Sequence, residues 1–147
     1  MAGRILVVDD ESHIVHVLSL KLRNAGYEVI SAVDGEDGFE QALQHMPDLV
    51  ITDFQMPYMT GLELCRALAA NGATANIPVL ILTARGYALD REDLRIGNIK
   101  GVLSKPFSPR AVLQLVKETL AAARGEPVAD ADRDAGGGDA GAETEAA

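Results

Sequence analysis

Three short stretches of the chain are apolar almost throughout: Ile5–Val8, Leu49–Ile51 and Val79–Leu82. Their brevity and β-branched content predict strands buried on both faces. Two further stretches, Glu28–Ala32 and Gly101–Ser104, are more polar or shorter, as edge strands tend to be. Between the strands the pattern predicts helices over 12–25, 36–46, 61–71, 88–96 and 109–123. Gly26, Gly72 and Gly97 stand where three of these would stop. Five strands alternating with five helices imply an α/β fold, a parallel sheet with helices on both faces. Three interior strands and two edges select the order 2-1-3-4-5, a flavodoxin-like (βα)5 arrangement.

The pattern stops before the chain does. From Gly125 to Ala147 there are seven Ala, five Gly, seven acids and one Arg, and Val128 is the only larger aliphatic residue. Such a stretch cannot bury enough apolar surface to offset the entropy of ordering it. The expected division is one domain over 1–124 and a disordered acidic tail over 125–147. Of the net charge of −9, the tail carries −6 and residues 1–124 carry −3.

That charge disfavours binding to nucleic acid through its phosphates. The single cysteine, Cys65, excludes an internal disulfide framework and argues against a thiolate metal cluster. No apolar run approaches the ~20 residues that span a bilayer. The N-terminus meets acids too soon for a signal peptide. The expectation is a cytoplasmic domain with no membrane contact.

Ligands of an open parallel sheet bind beyond the carboxyl ends of its strands. Asp9 and Asp10 follow the first strand, Asp53 the third, Thr83 the fourth and Lys105 the fifth. Three carboxylates that close repel one another, and a hard divalent cation such as Mg²⁺ compensates. Thr83 offers a hydroxyl, and Lys105 a charge suited to a phosphoryl oxygen. Taken singly, Asp10 or Ser12 could cap the next helix, Thr83 could end a strand, and Lys105 could be a solvated lysine. Taken together, at four strand ends of one topology, they make one site.

Four stretches carry a family resemblance: ILVVDDE over 5–11, DFQMPYMTG over 53–61, LTA over 82–84 and SKPF over 104–107. Over residues 3–123 the chain resembles a response-regulator receiver domain of two-component signalling. The resemblance makes Asp53 the phosphoacceptor, a carboxylate nucleophile that becomes an aspartyl phosphate. It makes Asp10 a direct Mg²⁺ ligand, Asp9 a ligand through water, and the Gln55 backbone carbonyl a further ligand. It makes Thr83 the switch hydroxyl and Lys105 the neutralising cation, with a cis bond to Pro106. The positions that tune hydrolysis in the family match Gln55 and Arg85. Arg85 could shield the phosphoryl group, which implies slow self-dephosphorylation.

The chain departs from the family at Val102, three residues before the lysine, where an aromatic ring is usual. A signal passing through the fourth strand, the helix at 88–96 and Thr83 without a ring flip is the expectation. Ile14, Val15, Leu18, Leu22 and Ala25 fall on one arc of the first helix. Val17 and Leu20 fall outside it beside His13 and His16. In the family this helix docks a histidine kinase or phosphotransfer protein, which marks Val17 and Leu20 as candidates for that patch. The downstream partner, unidentified, would meet the face built from 88–96, the fifth strand and 109–123.

The histidines lack zinc-site spacing. Met46, Met56 and Met59 suit packing or loops, Cys65 suits a buried position, and Phe107 suits packing at the start of the last helix. The leading expectation is a stand-alone, phosphorylation-activated switch, not an enzyme, with no output domain. Two alternatives remain: a constitutive interaction module that is never phosphorylated, and a Mg²⁺-dependent aspartyl phosphatase. The latter usually needs a second carboxylate two residues after the nucleophile, where Gln55 stands.

Overall fold

The computed structural model describes residues 3–84, 95, 96 and 98–125. The strands are β1 (Arg4–Val8), β2 (Glu28–Ala32), β3 (Leu49–Asp53), β4 (Val79–Ala84) and β5 (Ile99–Lys105). The helices are α1 (Ser12–Asn24), α2 (Gly35–His45), α3 (Gly61–Ala70) and α4 (Pro109–Arg124). The helix expected over 88–96 lies outside the described residues apart from Arg95 and Ile96. Arg85, Gly97 and the tail from residue 126 lie outside them too.

All five strands run parallel in the order β2-β1-β3-β4-β5. The alternation of side chains along each strand splits the core into two layers. Leu6, Val8, Val50, Val79 and Ile81 face one way, onto Ala42 of α2 and Leu64 and Leu68 of α3. Ile5, Val7, Leu49, Ile51, Leu80 and Leu82 face the other, onto Leu18 and Leu22 of α1 and Val112, Val116 and Leu120 of α4. Full burial of one such aliphatic chain contributes about 1.5–3 kcal/mol, so the three interior strands hold the sheet. Every residue of β3 is buried, whereas β2 and β5 alternate with more exposed positions, as edges do.

Local chemistry fixes the helix ends. After α1, Gly26 takes φ +101°. The Gly26 N–H donates to the Arg23 carbonyl and the Tyr27 N–H to the Leu22 carbonyl, a Schellman closure. Tyr27 and Leu22 share the same apolar layer, which completes the motif. Asp34 caps α2, Ser108 caps α4 ahead of Pro109, and Thr60 with Glu63 forms a capping box on α3. Two expectations shift. Ala25 is the exposed C-cap of α1 rather than part of its buried arc. Gly72 follows α3 without a left-handed backbone. Strand pairing opposes Asp53 to Leu82, Thr83 to Ser104 and Ala84 to Lys105. The ends of β1, β3, β4 and β5 thereby meet at one rim.

Candidate phosphoacceptor site

Asp9 leaves β1 directly into this rim and is 1% exposed. One carboxylate oxygen, Oδ1, accepts the Glu11 N–H at 2.9 Å. The other, Oδ2, is buried and takes no hydrogen bond. Lys105 Nζ stands 3.6 Å from it. Burial pushes the Asp9 carboxyl from 3.8 up to about 6. The Glu11 N–H opposes that rise, the charge of Asp53 adds to it, and Lys105 opposes it again.

Asp53 ends β3 and is 6% exposed. Its Oδ1 lies 3.0 Å from Lys105 Nζ. Burial raises its pKa above the ordinary aspartate value, and the hydrogen bond and charge of Lys105 pull it part of the way back. Lys105 ends β5 and also lies 3.5 Å from Glu11 Oε1. Burial disfavours its charge, but Asp53, Asp9 and Glu11 together outweigh that and raise its pKa. The ammonium therefore stays charged across the physiological range.

Asp10 is exposed at the mouth of the site, and carboxylate oxygens of Asp9, Asp10 and Asp53 all lie within 4.8 Å of one another. The helix-capping role open to Asp10 or Ser12 is not taken. The N-cap of α1 is Glu11, with no side-chain cap bond. Thr83 is 3% exposed near the end of β4, between the ends of β3 and β5. The Lys105–Pro106 bond is cis, as the resemblance implied.

The loop after Asp53 is held against the sheet. The Phe54 N–H donates to the Leu82 carbonyl at 2.7 Å, and the Gly61 N–H to the Phe54 carbonyl at 2.8 Å. A Cβ on Gly61 would collide with the Asp53 carbonyl, so only glycine lets α3 start this close to the nucleophile. Met56 anchors the loop in the core, and Gln55 between them is exposed.

Asp9, Asp10, Asp53, Thr83 and Lys105 come together on this rim, Gln55 stands in the loop that follows Asp53, and Arg85 lies outside the described residues. Sequence reasoning missed Glu11 as a partner of Lys105, although the acidic run DDE contains it. It also missed the capping box, although Thr60-x-x-Glu63 is the sequence signature of one. His13 and His16 are exposed on α1, and His45 gives its carbonyl to Arg4 at 2.7 Å. Cys65 is fully buried and its thiol is pushed up to about 12, so it is inert.

Known proteins place this geometry. Residues 5–117 match the family model described as response regulator receiver domain. The chain belongs to that family. Among curated proteins it is 40% identical over 121 residues to the alkaline phosphatase synthesis transcriptional regulatory protein PhoP of Bacillus subtilis, covering 82% of this chain and 49% of that one. It is 38% identical over 117 residues to the DNA-binding dual master transcriptional regulator RpaA of Synechocystis, covering 80% and 48%. The chain spans about half the length of these curated relatives. Among solved structures, chemotaxis protein CheY4 of Vibrio cholerae is similar with a TM-score of 0.74 and 32% identity, covering 80% of this chain and 98% of that one. A response regulator from Chloroflexus aurantiacus gives 0.73 and 34%, covering 82% and 99%.

Receiver domains are switches of two-component signalling, phosphorylated on aspartate, and bind Mg²⁺ at an aspartate cluster of this kind. They receive phosphoryl groups from histidine kinases or phosphotransfer proteins, and as a class they are switches rather than enzymes. No helix among the described residues is long and apolar enough to cross a membrane.

Proposed function

We propose that this receiver is a phosphorylation-activated switch in which Asp53 takes a phosphoryl group from a protein phosphohistidine. The observation that carries the proposal is the placement of Asp53. It is a buried carboxylate at the end of the central strand, with one cation 3.0 Å away and two further acids around it. A carboxylate oxygen of Asp53 attacks phosphorus in line. The O–P bond forms as the N–P bond of the donor breaks, and the histidine leaves with the electron pair. Phosphoryl transfer needs little beyond such a nucleophile and neutralisation of oxygen charge. Lys105 neutralises from one side, and the Thr83 hydroxyl donates to a phosphoryl oxygen in the product.

The donor set also fits a divalent cation. The carboxylates of Asp9, Glu11 and Asp53 share the Lys105 ammonium, Asp10 lies beside Asp9 and Asp53, and Asp9 Oδ2 is buried without a hydrogen bond. Asp10, Asp53 and the Gln55 carbonyl would hold Mg²⁺, with Asp9 acting through water. When bound, the cation supplies positive charge to the phosphoryl oxygens.

A histidine kinase or phosphotransfer protein would dock along α1. An apolar hollow of about 660 Å³ beside Lys105 supports this, lined by His13, Ile14, Val17, Pro106, Phe107 and Pro109. Leu20, 53% exposed on the same helix, extends the surface. The proposed compartment is the cytoplasm, and the signal leaves by protein contact with a downstream partner on the face of 88–96, β5 and α4. Of that face, β5 and α4 are described. Val102 is 38% exposed on β5 and brings no ring to move behind Thr83.

Intact-mass measurement after incubation with acetyl phosphate and Mg²⁺ tests the proposal. Wild type should gain one phosphoryl group, and Asp53→Ala or chelated wild type none. An adduct of equal yield on Asp53→Ala would reject Asp53 as the acceptor.

A further inference from the structure

The loop between Asp53 and α3 contains a residue that neither its backbone nor its surroundings favour. Tyr58 has φ +69°. The Met59 N–H donates to the Pro57 carbonyl across it at 2.7 Å. That is a three-residue γ-turn of the strained, positive-φ kind. Glycine or asparagine adopts such a backbone readily, whereas a bulky side chain there is an outlier. The loop cannot relax around it. Met56 is buried on one side, and Met59 packs against the core on the other. The capping box at Thr60 and Glu63 follows at once. The ring also gains nothing from burial, because Tyr58 is 93% exposed.

Strain held at an over-determined position beside a reacting group calls for a functional explanation. Exposed tyrosine is the residue type enriched among the anchors of protein interfaces. Tyr58 stands five residues after the nucleophile, on the rim that a donor must approach. We propose that Tyr58 is a recognition residue of this receiver, an aromatic anchor covered by the phosphohistidine-bearing protein as it delivers its phosphoryl group to Asp53. The inference rests on the phosphoacceptor reading above. A small donor has no protein surface to lay over an exposed ring, so the contribution of Tyr58 belongs to the protein donor.

The test compares two donors on wild type, Tyr58→Gly and Tyr58→Asn, both replacements being compatible with positive φ. The donors are acetyl phosphate and the phosphorylated histidine kinase of the source organism that transfers fastest to the wild type. The ratio of kinase-driven to acetyl-phosphate-driven phosphorylation should fall by about tenfold or more in both variants. Their melting temperatures should rise by about 3 °C as the turn relaxes. Tyr58→Phe should keep most of the ratio. A ratio within twofold of wild type, or a fall in both routes together, overturns the inference. So does a wild type that accepts phosphate from acetyl phosphate but from none of those kinases. A wild type that takes nothing from acetyl phosphate overturns the phosphoacceptor reading first.

Discussion

The two rims of the sheet handle charge in opposite ways. At the amino rim, where the strands begin, Arg4 gathers complementary partners. The Arg4 side chain meets Glu28 at 3.2 Å and the His45 carbonyl at 2.7 Å, and the Arg4 N–H donates to Asp48 Oδ2 at 2.8 Å. These groups are exposed or partly so, and water screens what remains. At the carboxyl rim, Asp9 and Asp53 are buried, Asp9 Oδ2 lacks a hydrogen bond, and Lys105 is shared among Asp9, Glu11 and Asp53. The amino rim closes the fold. The carboxyl rim holds charge that folding alone would not select, which is what a site awaiting a cation and a phosphoryl group requires.

Substitutions at the two rims should therefore differ in sign and in what they affect. The largest expected effect is on Mg²⁺. Asp10→Asn should weaken Mg²⁺ binding by about a hundredfold, ~2.7 kcal/mol, while Asp48→Asn at the opposite rim leaves it unchanged. Titration followed by amide NMR shifts measures both, and equal weakening would erase the contrast.

Next is Asp9→Asn, which should stabilise the metal-free protein. The folded pKa of Asp9, about 6, lies above its ordinary 3.8. Its ionised form is therefore disfavoured by folding, and the associated stability is present below pH ~4 and lost as pH rises through 6. A two-unit shift corresponds to ~2.7 kcal/mol, and water at the open rim reduces the expected gain to about 2 kcal/mol at pH 7.5. Urea unfolding at pH 7.5 and pH 4 checks it, and a gain of equal size at both would show that charge is not the cause.

Smaller effects of opposite sign belong to the amino rim. Asp48→Ala should cost about 1 kcal/mol by removing the acceptor of the Arg4 N–H. Glu28→Ala should cost about 0.5 kcal/mol, shrinking in high salt as exposed pairs do. Melting curves at low and high ionic strength separate the two, because only the second effect should respond to salt.

The fold was legible because the continuous apolar runs Ile5–Val8, Leu49–Ile51 and Val79–Leu82 admit few arrangements. Strand ends were less so. Ile99 joins β5 by pairing with Val79 of β4, and Lys100 follows at a register shift, a tertiary arrangement that local composition does not announce. Ala25 fits the periodicity of α1, yet Gly26 has already turned the chain there. The acids at the strand ends were legible because the topology sends them to one rim. Glu11 was not, because its contact with Lys105 spans 94 positions and depends on how β1 and β5 end. Nor was the turn at Tyr58, since the usual flag for positive φ is Gly or Asn, and Pro57-Tyr58-Met59 has neither.

The contrast between the rims rests on the stability of the wild type itself, measured by urea unfolding from pH 5.5 to 7.5 with and without Mg²⁺. The metal-free protein should lose stability as pH rises through about 6, and saturating Mg²⁺ should restore it most at the upper end. A metal-free profile that is flat or rises across that window, with no gain from Mg²⁺, would contradict the claim that the carboxyl rim holds uncompensated charge for a cation and a phosphoryl group.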